Sequence, residues 1–146
     1  MIMIRPAGRG DIAALIAIDP LAMADANRRQ SIAQWAAAGK CFLAVRDDKP
    51  VGYVALTRAF FHQPFVELLI VAEADRRSGV GLALLAHCIE QTPDGEKLWS
   101  TTNQSNLAMQ GLLAKGGFVR SGMIDNLDEG DPELVFLLRR SGATPT

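Results

Sequence analysis

One segment, residues 65–89, constrains the fold of this chain more than any other. An apolar run from Phe65 to Ala72 is followed by Arg76-Arg77-Ser78-Gly79-Val80-Gly81 and then by an apolar pattern with helical spacing. The run predicts a strand, the glycine-bearing stretch a turn, and the pattern a helix from about Gly79 to Gln91. A strand that enters a helix through such a turn is typical of proteins that pack helices on a sheet.

The same turn predicts a site for a phosphorylated ligand. The first N–H groups of a helix have no partner within the helix and carry the positive end of its dipole. Gly79 and Gly81 let a pyrophosphate approach those groups, while Arg76 and Arg77 add charged hydrogen-bond donors. The alternative is an ordinary solvated turn and helix start, which uses the same residue types.

The remaining pattern predicts an α/β (α+β) fold, with a mixed, mostly antiparallel sheet of six or seven strands flanked by about four helices. Besides the strand from Phe65 to Ala72, strands are predicted at residues 3–6, 41–46, 51–57, 97–102, 118–124 and 134–139. Helices are predicted after an Asp11 cap, at residues 31–38 and 79–91, and from Ser105 or Asn106 to about Lys115. Residues 19–29 are ambiguous, because Pro20 interrupts the pattern.

Size and composition exclude several classes of protein. A chain of 146 residues is most simply one domain, here residues 1–140 with a frayed tail at 141–146. Its net charge of −1 argues against general attraction to nucleic acid or an anionic membrane. No run approaches the roughly 20 apolar residues of a membrane helix, and the first residues do not resemble a signal peptide. We therefore expect a cytoplasmic protein with no nucleic-acid or membrane partner.

The sequence gives little support for a bound metal or a disulfide framework. Cys41 and Cys88 are the only cysteines, too few for a disulfide scaffold. His87 is adjacent to Cys88, which is a poor spacing for two ligands on one helix face, and His62 stands alone. Because a structural zinc site needs four protein ligands, we expect no metal.

A second motif lies downstream of the glycine-bearing turn. Asn106-Leu107-Ala108 is followed by Leu112-Leu113-Ala114-Lys115-Gly116-Gly117-Phe118. Together with Arg76-x-x-Gly79-x-Gly81, this segment resembles the GNAT superfamily of acetyl-coenzyme A-dependent N-acetyltransferases. That family carries Gln/Arg-x-x-Gly-x-Gly/Ala between a strand and a helix, and Asn-x-x-Ala…Phe-Tyr-x-Lys-x-Gly-Phe further on. The resemblance covers nearly the whole chain, in the family's element order.

The resemblance implies acetyl coenzyme A as the co-substrate, with no metal. Its pyrophosphate would be held by the glycine-bearing turn and helix start, namely Arg76, Arg77, Ser78, Gly79, Val80, Gly81 and Leu82. Leu69, Ile70 and Val71 would run beside the pantetheine arm, with the Val71 N–H facing the thioester oxygen. Asn106 would hydrogen-bond the pantetheine region, a role compatible with simple helix capping.

On the acceptor side, Glu67 is the candidate general base. It is the only charged residue between Phe65 and Ala72, and a carboxylate inside an apolar strand costs energy without a purpose or partner. The alternative is a surface position or an ion pair. Residues 125–133 form an unusually acidic loop, and His62 together with the acidic-loop residues Asp131 and Glu133 are candidates for contact with a cationic amine. The alternative there is a solvated loop.

The chain departs from the family at the general acid. The family often places a tyrosine at the position of Leu113, where it protonates the departing thiolate. Tyr53, the only tyrosine, lies on a different predicted strand. Water, Ser105 or the substrate ammonium could supply the proton instead.

The resemblance therefore implies an enzyme that acetylates a primary amine, of a small molecule or a peptide, by direct attack in a ternary complex. It also implies a homodimer, an assembly common among such proteins. The alternative is a sensor or scaffold of the same fold that binds coenzyme A with weak or no turnover, as the missing tyrosine suggests. A dinucleotide-binding module is disfavoured, because Leu84 stands where Gly-x-Gly-x-x-Gly requires its third glycine.

Overall fold

The computed structural model describes residues 1–141; the rest of the tail predicted as frayed lies outside the described residues. The seven strands are β1 (Ile2–Pro6), β2 (Cys41–Arg46), β3 (Lys49–Phe60), β4 (Gln63–Val71), β5 (Lys97–Asn103), β6 (Val119–Ile124) and β7 (Glu133–Arg139). The α-helices are α1 (Ile12–Ile18), α2 (Pro20–Ala24), α3 (Ala26–Ala37), α4 (Val80–Gln91) and α5 (Leu107–Lys115). Short 3₁₀ helices occupy Arg9–Asp11 and Glu73–Asp75.

The strands form one mixed sheet in the order β1-β2-β3-β4-β5-β7-β6. The junctions β1–β2, β2–β3, β5–β7 and β6–β7 are antiparallel. The junction of β4 with β5 is parallel, with Phe65 opposite Trp99 and Val66 opposite Ser100. The predicted mixed, mostly antiparallel sheet is confirmed.

The described chain packs as two compact units. The first contains residues 1–56 and 68–87, and the second contains residues 57–67 and the chain from Cys88 onward. A single domain over residues 1–140 stays a prediction. Within residues 1–141, no helix is both long enough and apolar enough to cross a membrane.

The first unit has packing on both faces of its strands. On one face the buried side chains come from α1, α2, α3, β2 and β3, and include Leu15, Ala22, Ile32, Leu43 and Tyr53. On the other face α4 lies close to β3 at Gly52. A Cβ placed on Gly52 would come within 2.9 Å of both the Ile70 carbonyl oxygen and Val80 Cγ1. Glycine therefore allows the start of α4 to approach the sheet.

The second unit has one well-buried sheet face. Along β5, the buried residues Leu98, Ser100 and Thr102 alternate with the partly exposed residues Trp99, Thr101 and Asn103. This is the period-two pattern of a strand with one face against the core. The buried Ser100 hydroxyl donates to the Val66 carbonyl oxygen at 3.1 Å, which links β5 to β4 across that core. Leu113 of α5 is fully buried.

Two tight hairpins join β2 to β3 and β3 to β4. Asp47 and Asp48 have φ of 52° and 60°, and Phe61 and His62 have φ of 53° and 63°. Two consecutive positive φ values are the mark of the type I′ turn, whose twist matches that of the flanking strands. The predicted hairpin after Arg46 is confirmed, with a shorter turn than residues 47–50.

The ambiguous segment at residues 19–29 is helical. Pro20 occupies the first position of α2, where its missing N–H costs nothing, and the Asp19 side chain caps that helix. A second cap, Asp25, starts α3 at Ala26, earlier than the predicted Ser31. Five α-helices are therefore found among residues 1–141, where about four were predicted.

Asp11 is the N-cap residue of α1, as predicted, but its side chain makes no capping hydrogen bond. Asp11 precedes α1, but its carboxylate accepts from the Gly8 N–H at 2.9 Å and from the Arg5 guanidinium at 2.8 and 2.9 Å. It therefore closes the preceding 3₁₀ turn rather than the helix. The Arg5 hydrogen bonds, followed by the Gly8 N–H, lower the pKa of Asp11 to about 2.

Candidate functional site

The glycine-bearing turn joins the end of β4 to the start of α4. Arg77 and Gly79 adopt left-handed backbone with φ of 63° and 89°. Ala83 donates its N–H to the Gly79 carbonyl at 3.0 Å, as in the first turn of a helix. The N–H groups of Val80, Gly81 and Leu82 precede that bond, so they are free of helical partners and point out of the helix end.

This helix end has the space and the charge that a phosphate needs. A Cβ built on Gly79 meets no atom within 4 Å, so the space beside Gly79 at the start of α4 is open. Left-handed residues in such a turn arrange successive N–H groups into a concavity that suits anions. Arg76, Arg77 and Ser78 are exposed beside it. The structure thus brings the predicted residues 76–82 together, and their binding role stays a prediction.

Arg46, at the end of β2, holds this turn in place. Its guanidinium donates to the Ser78 hydroxyl at 3.1 Å and to the Ser78 carbonyl at 2.9 Å, and lies 3.8 Å from the Asp75 carboxylate. The Ser78 hydroxyl in turn donates to the Asp75 carbonyl. Sequence reasoning missed Arg46, because it is 32 residues from Ser78 and no local pattern marks the contact.

The end of β4 carries Leu69, Ile70 and Val71, all partly exposed. The Ala72 N–H donates to the Val51 carbonyl at 2.8 Å, which ties the end of the strand to β3. The Val71 carbonyl accepts from Arg76 Nε at 3.4 Å. The strand end is therefore attached both to the sheet and to the glycine-bearing turn.

Glu67 lies earlier on β4, with its side chain exposed. Its Oε1 accepts a hydrogen bond from the Thr57 hydroxyl at 2.9 Å. Thr57 is itself buried. A hydroxyl orients the carboxylate without neutralising it, so Glu67 keeps lone pairs free to take a proton.

No tyrosine occupies the position of the family's usual acid. Leu113, where the family often has a tyrosine, is fully buried on α5. Tyr53 is also buried and donates to Asp19 Oδ2 at 2.5 Å. Burial, followed by the hydrogen bond to Asp19, raises the pKa of Tyr53 well above its usual range. Tyr53 belongs to the core of the first unit.

Asn106 caps α5. Its Oδ1 accepts from the Met109 N–H at 3.1 Å, as predicted for a helix cap. Just before it, the Ser105 hydroxyl and N–H both donate to the Asp131 carboxylate, at 2.6 and 3.0 Å. Asp131 therefore anchors the acidic loop to the start of α5, and both of its oxygens already accept hydrogen bonds.

The other predicted acceptor residues are not gathered at one point. Glu133 is the first residue of β7, opposite Asn103. His62 is exposed in the turn before β4, and its carbonyl accepts from the Arg58 guanidinium at 3.2 Å. Their contact with an acceptor stays a prediction.

The described residues give little support for metal binding or for catalysis by a thiol. In the chain up to Ser141, no group of three or more His, Cys, Asp or Glu side chains is placed to hold a metal ion. Cys41 and Cys88 are buried and unpaired by disulfide. Burial raises the pKa of each thiol to about 12, which keeps both from acting as nucleophiles.

Comparisons with known proteins identify the family. The model of the acetyltransferase (GNAT) family matches residues 13–118. A GNAT acetyltransferase from Bacillus cereus is 33% identical, with 96% of this chain and 98% of that one covered at a TM-score of 0.88. Among curated proteins, none matches significantly.

Two further structures share the fold. The ribosomal-protein-S18-alanine N-acetyltransferase of Escherichia coli is 20% identical, covering 99% of this chain and 97% of that one at a TM-score of 0.81. An acetyltransferase from Bacillus anthracis, solved with acetyl coenzyme A, is 20% identical over 68% of this chain and 61% of that one, at a TM-score of 0.60. With the family model spanning most of its length, this chain belongs to the GNAT acetyltransferase family.

Proposed function

We propose that this acetyltransferase transfers the acetyl group of acetyl coenzyme A to a primary amine by direct attack in a ternary complex. The amine nitrogen forms a bond to the thioester carbonyl carbon, the carbon–sulfur bond breaks, and the sulfur leaves with its electron pair as a thiolate. The amine loses one proton to a base. The observation that carries the proposal is the open, positively polarised start of α4 beside the end of β4.

The donor's pyrophosphate would bind at the N–H groups of Val80, Gly81 and Leu82. Three aligned N–H groups and the helix dipole attract negative charge, and Arg76 and Arg77 add mobile positive charge at the rim. Arg46 would contribute by holding Ser78 and Asp75 in position. The turn is then already shaped before the ligand arrives, which lowers the entropic cost of binding.

The end of β4 would position the reacting group. The pantetheine arm, which carries amide groups, would run beside Leu69–Val71, and the Val71 N–H would donate to the oxygen that becomes negative during attack. A fixed donor at that point stabilises the transition state more than the ground state.

Glu67 would accept the proton of the attacking amine, directly or through a water molecule. Its carboxylate is exposed and is oriented by the Thr57 hydroxyl. A positioned base of this kind contributes about 10²- to 10⁴-fold to rate.

The departing thiolate would be protonated without a tyrosine. A thiolate is a tolerable leaving group at neutral pH, since free thiols titrate near pH 8.5. Water, the amine's own proton or the Ser105 hydroxyl would suffice. Because Ser105 already donates to Asp131 at 2.6 Å, water and the amine proton need less rearrangement.

A second candidate is a coenzyme A-binding sensor or scaffold with weak or no turnover. The observation that favours it is Leu113, a buried apolar side chain where the family often has its acid. A cytoplasmic location and a homodimer stay predictions.

The test separates donor binding from turnover. Acetyl coenzyme A binding is measured by calorimetry, and thiol release is followed across a panel of primary amines. Binding together with thiol release supports the enzyme, whereas binding without release across the panel supports the sensor.

A matched pair of variants tests the donor site. Gly79→Glu should weaken acetyl coenzyme A binding about a hundredfold or more, because it puts a negative charge in the phosphate space. Gly39→Glu is the control, since Gly39 has the same left-handed backbone and the same open surroundings at the end of α3. Unchanged affinity in Gly79→Glu would refute the site.

A further inference from the structure

An aromatic cluster lies on a partly exposed surface of the second unit. The chain has six Phe, two Trp and one Tyr. Four of these side chains form one cluster, in which three rings surround that of Phe60. The rings of Phe61 and Phe65 are each centred 5.1 Å from that of Phe60, and the ring of Trp99 is 5.2 Å away. Phe61 is 81% exposed, and the other three are partly exposed. We call these four residues the aromatic face.

The aromatic face continues directly to Glu67. Along β4, Phe65 and Glu67 alternate with the buried residues Pro64 and Val66, so both point to the solvent side of the sheet. Trp99 is opposite Phe65 on β5 and points the same way. The backbones of Phe65 and Glu67 are therefore about 7 Å apart along the strand, and Glu67 is the next residue on this face.

The turn at the tip of the aromatic face is strained. Type I′ turns favour Asn-Gly, because both central residues need positive φ. Here the first position holds Phe61, a bulky residue for which left-handed backbone is rare and costly, and the second holds His62. An exposed phenylalanine at such a position costs stability, and a contact made by its ring would offset that cost.

Carboxylates also border the far end of this sheet face. Trp99, Thr101 and Asn103 lie on it in succession, over about 13 Å. The Asn103 amide donates to Asp128 Oδ2 at 2.8 Å, which fixes the acidic loop at that end. The positive charge of Arg58 is matched by Glu96, 3.0 Å away. The surface thus combines aromatic rings with flanking negative charge.

We propose that the aromatic face binds the acceptor, and that the acceptor is a primary ammonium ion joined to an aromatic or bulky apolar group. Aromatic rings contact such a group through stacking and attract the ammonium ion through their faces, while Glu67 receives its proton. This inference rests on the proposed function, because it assigns Glu67 to the same amine. It adds the chemical nature of the group attached to the amine, which the donor site does not determine.

The first experiment compares 2-phenylethylamine with ethylamine in the thiol-release assay. Both amines carry the same reactive group, so their ratio of kcat/KM reports only on the body of the acceptor. We expect a preference of about a hundredfold for 2-phenylethylamine, as burial of a phenyl group would give. Equal kcat/KM values for the two amines would overturn the proposal and leave the proposed function intact.

The second experiment uses the strained turn. Phe61→Asn should raise the melting temperature by a few degrees, because asparagine suits the left-handed backbone. It should also lower the preference for 2-phenylethylamine about tenfold, with the KM for acetyl coenzyme A unchanged. Stability and selectivity then move in opposite directions, which a merely structural role for Phe61 would not produce.

Asp48→Gly is the matched control for that variant. It relieves the same backbone strain in the other type I′ turn, at a residue outside the proposed sites. The melting temperature should rise while the amine preference stays unchanged. An equal loss of preference in both variants would overturn the proposal.

A third measurement is independent of turnover. In a Trp35→Phe background, Trp99 fluorescence is titrated with 2-phenylethylamine and with ethylamine. Saturable quenching by 2-phenylethylamine alone supports the aromatic face even if no amine is acetylated. If instead sedimentation shows a dimer that Phe61→Asn dissociates, and no amine quenches Trp99, the face belongs to a second copy and the proposal fails.

Discussion

Two carboxylates of this molecule, Asp19 and Glu67, have opposite surroundings. Asp19 is 1% exposed and accepts four hydrogen bonds, from the Leu21 and Ala22 N–H groups, the Arg28 guanidinium and the Tyr53 hydroxyl. Glu67 is exposed and accepts a hydrogen bond from the Thr57 hydroxyl. Both carboxylates accept a hydrogen bond from a hydroxyl, but only Glu67 has acceptor positions left for a further hydrogen bond.

The difference shows how to separate a structural acid from a chemical one. The carboxylate oxygens of Asp19 are occupied by hydrogen bonds that join α2, α3 and β3. Glu67 is exposed and accepts a hydrogen bond from one side chain, which is why we propose it as the base. The number of hydrogen-bond donors around each carboxylate is therefore the basis on which we propose Glu67, and not Asp19, as the base.

The largest expected effect is that of Asp19→Ala on stability. The change would leave Arg28 and Tyr53 without their buried partner and remove the cap of α2, which together should cost about 3–5 kcal/mol. Urea unfolding measures it. Asp25→Ala, which removes the exposed cap of α3, is the control and should cost about 1 kcal/mol. Similar losses in the two variants would show that the buried network adds little.

Next in size is the effect of Glu67→Gln on turnover. We expect kcat to fall about a hundredfold, since an amide cannot take the amine proton, while acetyl coenzyme A affinity and the urea midpoint stay unchanged. Glu96→Gln is the control, because Glu96 is also an exposed carboxylate of the second unit and pairs with Arg58. A fully active Glu67→Gln enzyme would remove Glu67 as the base.

Tyr53→Phe should have a smaller effect, confined to stability. Deleting the hydroxyl removes one donor to Asp19 and should cost about 1 kcal/mol. Because this hydroxyl is buried against Asp19, kcat should not change. A large fall in kcat with normal stability would instead make the only tyrosine the general acid.

The smallest effect should come from Asp11 and its partner Arg5. The pKa of Asp11 is lowered to about 2 from an ordinary 3.8, so the stabilisation is present above about pH 4 and is lost as the pH falls to 2. Since half of the Arg5 side chain is exposed, the gain is below about 1 kcal/mol. Arg5→Met should therefore melt slightly below the parent protein at pH 6 and together with it at pH 2. A difference in melting temperature that stays constant from pH 6 to pH 2 would contradict a stabilising role for the Arg5–Asp11 ion pair.

Features that depend on neighbouring residues could be predicted from the sequence. Gly39 and Gly117 end α3 and α5 with positive φ, as their positions indicate. Asn106 was a predicted cap and is one, because its side chain reaches a backbone N–H only three residues away. The residues of the glycine-bearing turn lie together for the same reason.

Features that join distant residues could not be predicted. The contact of Arg46 with Ser78 and the network of Asp19, Arg28 and Tyr53 depend on how strands and helices pack, which no local spacing reveals. The aromatic face likewise combines β3, β4 and β5. Residues 19–29 were ambiguous for a different reason. Proline disrupts the interior of a helix but is favoured at its first position, and Pro20 occupies the first position of α2.

Gly52 has a consequence for how this enzyme can vary. Any side chain there would collide with the backbone of β4 at Ile70 and with Val80, the first residue of α4. To relieve the collision, α4 would have to lift from the sheet and carry its N–H groups with it. A mutational library that retains the fold could thus still lose donor binding at a position that contacts no ligand. Position 52 therefore sets how closely the start of α4, the proposed phosphate site, approaches the sheet.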